Sequence, residues 1–97
     1  MEELRQQLLA TPASVVIANH AFGLFELAAL HLSQQPPNLE QAKLAIDAFG
    51  ALVEGLTGRL DAAESQLVDG LAQLRMAFVQ INAAVQAAQA QAGGQQA

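Results

Sequence analysis

Apolar residues in the C-terminal half recur at alternating intervals of four and three, and this spacing constrains the fold more than any other feature. They are Leu67, Leu71, Leu74, Phe78, Ile81, Val85, Ala88 and Ala92. Such a heptad pattern keeps one apolar stripe of a helix turned toward a partner helix. At about 1.5 Å per residue, the helix predicted over residues 61–90 is roughly 45 Å long.

A second seam with the same spacing precedes it and predicts a helix over residues 39–57. A short turn joins the two helices, so they must form an antiparallel hairpin. With the turn centred near residue 60, the numbers of facing residues sum to about 120. Five pairs meet this condition: Leu39 with Ile81, Ala42 with Phe78, Ile46 with Leu74, Phe49 with Leu71, and Val53 with Leu67.

Polar residues typical of helix ends mark the limits of the hairpin. Asn38 followed by Gln41 predicts a capping box at the start of the first helix. Asp61 followed by Glu64 predicts a second box at the start of the long helix. Gly58 is placed to adopt the left-handed conformation that often ends a helix.

Upstream of a proline-rich break, an apolar segment predicts a further helix over residues 12–32. The fold class is therefore all-α, an antiparallel bundle of three main helices (about 12–32, 39–57 and 61–90) with a possible short leading helix over 2–10. The corresponding organisation is a leader over 1–11, a bundle domain over 12–85 and an Ala/Gln-rich tail over 86–97, expected to be partly disordered.

The 12–32 helix is long enough to suggest a membrane span. Its polar residues argue against that interpretation, since ionisable groups near the centre of a bilayer are costly. They are Asn19, His20, Glu26 and His31. We predict instead a central helix that is covered by protein on most sides.

The charge pattern excludes some partners. The net charge is −5, and the four basic residues are scattered along the chain. Nucleic acid binding needs a cationic patch, so we expect no nucleic-acid partner, and anionic membrane surfaces are disfavoured for the same reason. Charged residues make up only 13% of the chain, below the usual proportion of about a quarter. This low proportion suggests that another chain covers part of the surface.

The chain contains no cysteine, which excludes disulfides and thiolate metal sites and fits a reducing compartment. The acidic start, Met1-Glu2-Glu3, lacks the basic region of a signal peptide. We therefore expect a cytoplasmic location.

No constellation of catalytic residues is evident. His20 and His31 are about 16 Å apart along one helix, too far to share a metal ion. We predict no catalytic, cofactor-binding or metal-binding residues, no cofactor, and no enzymatic activity. Lys43 and Arg75 lie on one flank of the seam and are candidates for polar pairing. Asp47, four residues after Lys43, can supply a carboxylate locally, and Glu26 is predicted either to pair with Arg75 or Lys43 or to be exposed at the rim of its helix.

The long seam also extends beyond its partner. Val85 would face position 35 in the proline-rich loop, so Val85, Ala88 and Ala92 have no mate on the 39–57 helix. They are predicted to meet the first helix, the leading helix or another subunit. We expect a non-catalytic, self-associating interaction or scaffolding module, whose partner is itself or another protein. The alternative is a carrier of a small apolar ligand.

Several segments of the hairpin resemble the bacterial family called domain of unknown function 1844. They are Leu44-Ala45-Ile46-Asp47, Leu56-Thr57-Gly58-Arg59-Leu60, Glu64, and Leu74-Arg75-Met76-Ala77-Phe78-Val79-Gln80-Ile81. Leu56, Arg59 and Phe78 stand where Lys, Asn and Tyr are common in the family. The resemblance implies a small cytoplasmic bacterial protein with no known catalytic residues. In some high-GC bacteria such genes lie near that of a translation initiation factor, which implies an accessory role in translation as a further alternative.

Overall fold

The computed structural model describes the backbone of residues 1–96 and the side chains of residues 1–91. Four α-helices make up most of it: α1 (Glu2–Ala10), α2 (Ala13–Ser33), α3 (Leu39–Gly55) and α4 (Glu64–Gln96). A 3₁₀ turn over Asp61–Ala63 precedes α4. No strand occurs in these described residues, and α2, α3 and α4 pack against one another. The predicted all-α class is confirmed.

Contacts at the helix glycines show how the three long helices run. A Cβ atom on Gly50 of α3 would lie 3.4 Å from Leu71 Cδ1 of α4, which agrees with the predicted antiparallel register. A Cβ atom on Gly70 of α4 would lie 3.1 Å from the ring of Phe25 in α2. Ala18 and Ala63 line one cleft. Their positions differ by 45 residues, as do those of Phe25 and Gly70. This constant offset means that α2 and α4 run parallel.

The core lies between these three helices. Phe49, Leu60 and Leu67 are its largest fully buried side chains. The Phe25 and Phe49 rings meet edge to face, with centroids 6.0 Å apart, a favourable aromatic geometry. Toward the far end of the hairpin, Ile81 and Phe78 are only half-buried. The packing is therefore tightest near the turn and loosens along α4.

The helix ends differ from the predictions in three respects. The Asn38 side chain accepts a hydrogen bond from the Gln41 N–H at 3.2 Å, but the Asn38 N–H donates to the His31 carbonyl at 3.1 Å. Only half of that capping box is therefore built. Asp61 has a φ of 55° and lies in a 3₁₀ turn, so it does not cap α4.

Gly58 takes the predicted left-handed conformation, with a φ of 79°. Helix α3 ends at Gly55 and α4 continues to Gln96, so their predicted ends at 57 and 90 are displaced.

The prediction that the apolar helix α2 is covered on most sides is wrong. Its buried residues are Ala18, Ala21, Ala28 and Leu32, which share one face. In the most apolar stretch of α2, only 17% of the residues are buried. Among the described residues, α2 is the one helix long and apolar enough to cross a membrane, although core helices of soluble proteins meet the same criteria. Helix α1 has no buried residue.

Candidate functional site: interaction surfaces

The turn between α3 and α4 is organised by Glu64. Its carboxylate accepts hydrogen bonds from the Leu60 N–H at 2.9 Å and from the Gly58 N–H at 2.8 Å. These two bonds, that from Leu60 first, hold the pKa of Glu64 below its ordinary value. The carboxylate is thus committed to satisfying the turn, which is a structural role.

Two ion pairs lie on the flank where α3 meets α4. Lys43 Nζ is 2.8 Å from Asp47 Oδ2, the predicted local pair. Arg75 does not pair with Asp47 or Glu26. Its guanidinium binds the Glu54 carboxylate with two bonds of 2.9 and 3.0 Å. Sequence reasoning missed Glu54, although it lies on the same face of α3 as Lys43 and Asp47, two turns beyond Asp47.

Gly50 makes room for this second pair. A Cβ atom at Gly50 would be 2.7 Å from Arg75 Nη2, so a larger residue would displace the guanidinium. The hydrogen bonds to Arg75 and its charge lower the pKa of Glu54, and the same hydrogen bonds raise the pKa of Arg75. Both side chains are about half exposed, so the pair holds two helices together at the surface and does not form a reactive centre.

The remaining polar candidates are dispersed. His20 is exposed, whereas His31 is half-buried with its Nδ1 lacking a hydrogen-bond partner in the described structure. Glu26 is exposed and takes part in no ion pair among the described side chains. In residues 1–96 no three His, Asp or Glu side chains are grouped to hold a metal ion.

The most aromatic cleft opens between α2 and α4. Its volume is about 330 Å³, and Phe22, Phe25 and Phe49 form its apolar side. Polar groups, Gln66, Asp69 and Gln73, line the other side. The cleft is open to solvent and is not an enclosed cavity of the kind that binding pockets for apolar ligands usually provide.

The outer face of α2 carries its own seam. Val16, His20, Gly23, Leu27 and Leu30 follow one another at intervals of four and three, which aligns them along one side of the helix. Leu27 is 44% exposed and Leu30 is 64% exposed. Glu26 lies beside this stripe and is the single Asp, Glu, Lys or Arg residue in α2. We call these six residues the α2 outer face.

The apolar residues of α1 continue this surface. Leu4, Leu8 and Leu9 are all more than half exposed. A cleft of about 590 Å³ lies at the joint of the two helices, lined in part by Leu8, Leu9, Val16 and Ile17. Because Val16 belongs to both the cleft and the α2 outer face, the apolar surfaces of α1 and α2 are continuous.

The residues of the candidate interface predicted on α4 differ in their exposure. Val85 is half-buried and Ala88 is exposed, whereas the side chain of Ala92 lies outside the described residues. Three larger apolar side chains are exposed on another face of α4: Val68, Met76 and Val79. Sequence reasoning missed this face because it followed the inner seam alone.

Comparison with known protein families finds a match that spans most of the bundle. The family described as Domain of unknown function (DUF1844) matches residues 18–80, which include all of α3 and most of α2. The chain belongs to the DUF1844 family. No curated protein and no solved structure matches it. Helix α1 and the last part of α4 lie outside the segment that matches DUF1844.

Proposed function

We propose that this DUF1844 protein is a non-catalytic interaction module that associates with itself through α1 and the α2 outer face. The observation that supports this most is the exposure of α2. Only 17% of the apolar stretch of this helix is fully buried. Its other inner residues are partly buried against the core, whereas Leu27 and Leu30 are 44% and 64% exposed. Monomeric soluble proteins rarely leave a large contiguous apolar patch exposed, and such patches mark interaction sites.

The size of the surface supports association. The exposed parts of Leu4, Leu8, Leu9, Leu27 and Leu30 together equal about three complete leucine side chains per protomer. Burying one leucine completely stabilises by about 1.5–3 kcal/mol. Complete burial of this surface would contribute about 5–9 kcal/mol per protomer, which is of the same order as the free-energy cost of association.

The charge distribution favours a protein partner in a reducing compartment. The chain has four basic residues and no cysteine, which supports a cytoplasmic location without nucleic acid as a partner. Two of those cations, Lys43 and Arg75, already bind carboxylates of their own chain. The other two basic residues, Arg5 and Arg59, are too few and too far apart in sequence to form a cationic patch.

Two leucines with nearly equal exposure give a matched test. Leu30 on the α2 outer face is 64% exposed, and Leu44 on the outside of α3 is 65% exposed. We expect Leu30→Glu to weaken self-association by at least tenfold, since a charge in the contact must be desolvated. Leu44→Glu should leave association unchanged. Light scattering after gel filtration, with circular dichroism to confirm folding, measures both; equal effects of the two variants would contradict the assignment.

A small apolar ligand remains the second candidate, because three phenylalanines line the cleft between α2 and α4. Native mass spectrometry of the purified chain would detect a retained ligand as added mass. Retention of one defined small molecule by wild-type protein, and its loss in a Phe22→Ala variant, would favour this function over self-association.

A further inference from the structure

Helix α1 needs a cover that its own chain does not provide in the described structure. It has nine residues, and none of them is buried. Isolated helices shorter than about 12–15 residues are marginal in water. Its apolar face must therefore be packed against something if the helix is to persist.

One positive charge lies inside this apolar face. With about 3.6 residues per turn, Arg5 projects between Leu8 on one side and Leu9 on the other. The opposite side carries the polar residues Glu3, Gln6 and Gln7. Arg5 is the single Lys or Arg before Lys43, so the α1 face presents leucines around one cation, with the carboxylate of Glu2 at the edge of the face beyond Leu9.

The α2 outer face has the complementary composition. It presents Val16, Leu27 and Leu30 beside one anion, Glu26. Gly23 lies at its middle, and a Cβ atom there would meet nothing within 4 Å. A second helix can therefore approach closely at this point and bring a cation to the Glu26 carboxylate.

We infer that two copies of the chain exchange their α1 helices, so that α1 of each copy packs on the α2 outer face of the other. Arg5 of one copy then pairs with Glu26 of the second, and the contact occurs twice about a two-fold axis. This inference rests on the proposed self-association and specifies its geometry.

The extent of the contact favours exchange over a simple pairing of α2 helices. The stripe from Val16 to Leu30 is about 21 Å long, which is short for an interface of about 800 Å² on each partner. Helix α1 adds about 13 Å of helix to each side. Exchange also covers the leucines of α1, which α2–α2 pairing would leave in water.

A membrane is the other surface that could cover an apolar face. The net charge of −5 opposes approach to an anionic bilayer. The carboxylate of Glu26 projects from the face that would enter it, and burying such a group in lipid is costly. A second copy supplies a cation for that carboxylate, whereas lipid does not.

Charge reversal in separate chains tests the exchange directly. We expect Arg5→Glu and Glu26→Arg each to weaken dimerisation by about tenfold or more, because each homodimer then contains two like-charge contacts. Mixing the two variants should restore dimerisation to within about threefold of wild type, since the heterodimer contains two opposite-charge pairs. Sedimentation velocity of each variant, and of an equimolar mixture, measures both effects.

Matched controls separate local pairing from overall charge. Arg59→Glu and Glu40→Arg make the same charge changes at exposed positions outside α1 and α2, and they should leave dimerisation within about threefold of wild type. A wild-type dimer with no recovery on mixing would overturn the exchange and leave self-association standing. A wild-type chain that stays monomeric, or that binds neutral phosphatidylcholine vesicles as a monomer, would overturn both.

Discussion

At the scale of single residues, Glu64 shows how one carboxylate can define a turn. It accepts hydrogen bonds from two backbone N–H groups of the preceding loop, and Gly58 supplies the left-handed residue that the chain reversal requires. The two residues together fix where α3 ends and α4 begins. The hairpin register depends on this turn because a shift of one residue there would rotate the inner seam away from α3.

The Glu64 turn has a predicted pH dependence. The folded-state pKa of Glu64 is lowered by its backbone hydrogen bonds, so the stability it contributes is present above the ordinary carboxyl pKa and is lost as pH falls through the folded pKa. We expect Glu64→Gln to lower the melting temperature by several degrees near neutral pH. The difference from wild type should shrink in acid, where the wild-type carboxyl is also protonated.

Thermal melts across a pH series measure this effect. Asp69→Asn is the control, because it neutralises an exposed carboxylate on α4. A difference between wild type and Glu64→Gln that persists undiminished in strong acid would show that the turn does not depend on the ionised carboxylate.

At the scale of helices, two glycines on facing helices allow close approach for different reasons. Gly70 of α4 lies under the ring of Phe25, which in turn packs against Phe49. Gly50 of α3 lies under the end of the Arg75 side chain, which can move into solvent. An added side-chain atom at Gly70 would therefore meet a packed aromatic ring, whereas at Gly50 it would meet a side chain that can move away.

The two alanine variants should consequently differ. Each gains helix propensity of up to about 1 kcal/mol. Gly70→Ala must displace an aromatic ring and is expected to destabilise by about 1 kcal/mol net, since overpacking a core costs roughly 1–3 kcal/mol. Gly50→Ala only moves the guanidinium away from Glu54, and we expect it to be neutral or stabilising.

Urea denaturation of the two variants beside wild type measures this contrast. Equal destabilisation by both would mean that the Arg75–Glu54 pair holds α3 and α4 together more strongly than a half-exposed ion pair normally does. A stabilised Gly70→Ala variant would mean that Phe25 is free to repack.

The hairpin could be predicted from sequence because it depends on local signals and on spacing. The inner seam, the Asn38 cap and the left-handed Gly58 follow from residue type and period. The prediction that Asp61 caps α4 is wrong, because the chain forms a 3₁₀ turn there and the Glu64 carboxylate accepts hydrogen bonds from the loop N–H groups before it. The Glu54–Arg75 pair was missed because the predicted register places position 45 opposite Arg75, and Glu54 lies nine residues further along α3.

At the scale of the whole molecule, the main departure from expectation is the exposure of α2. Apolar periodicity shows that a helix face will be covered, but it does not show by what. In α2 the inner face, with Ala21 and Ala28, packs on the bundle, whereas the outer face with Leu27 and Leu30 does not. From the sequence, the unmatched seam at Val85 and Ala88 suggested self-association through α4. In the structure the larger exposed apolar surface lies instead on α1 and the α2 outer face.

The shape of the molecule is consistent with an exposed outer face on α2. Its principal extents are 65 × 30 × 15 Å, so the bundle is thin for its length and leaves much of each helix at the surface. A second copy on the α2 side would place further helices against the exposed leucines of α2.

The central claim is that the chain covers α1 and α2 by associating with itself, and the molar mass of the wild-type chain in solution tests it most directly. Sedimentation equilibrium over a range of micromolar concentrations should give a mass of about twice the 10.1 kDa of one chain. The mass should fall toward that of one chain on dilution. A constant mass of 10.1 kDa over the whole range would contradict the account.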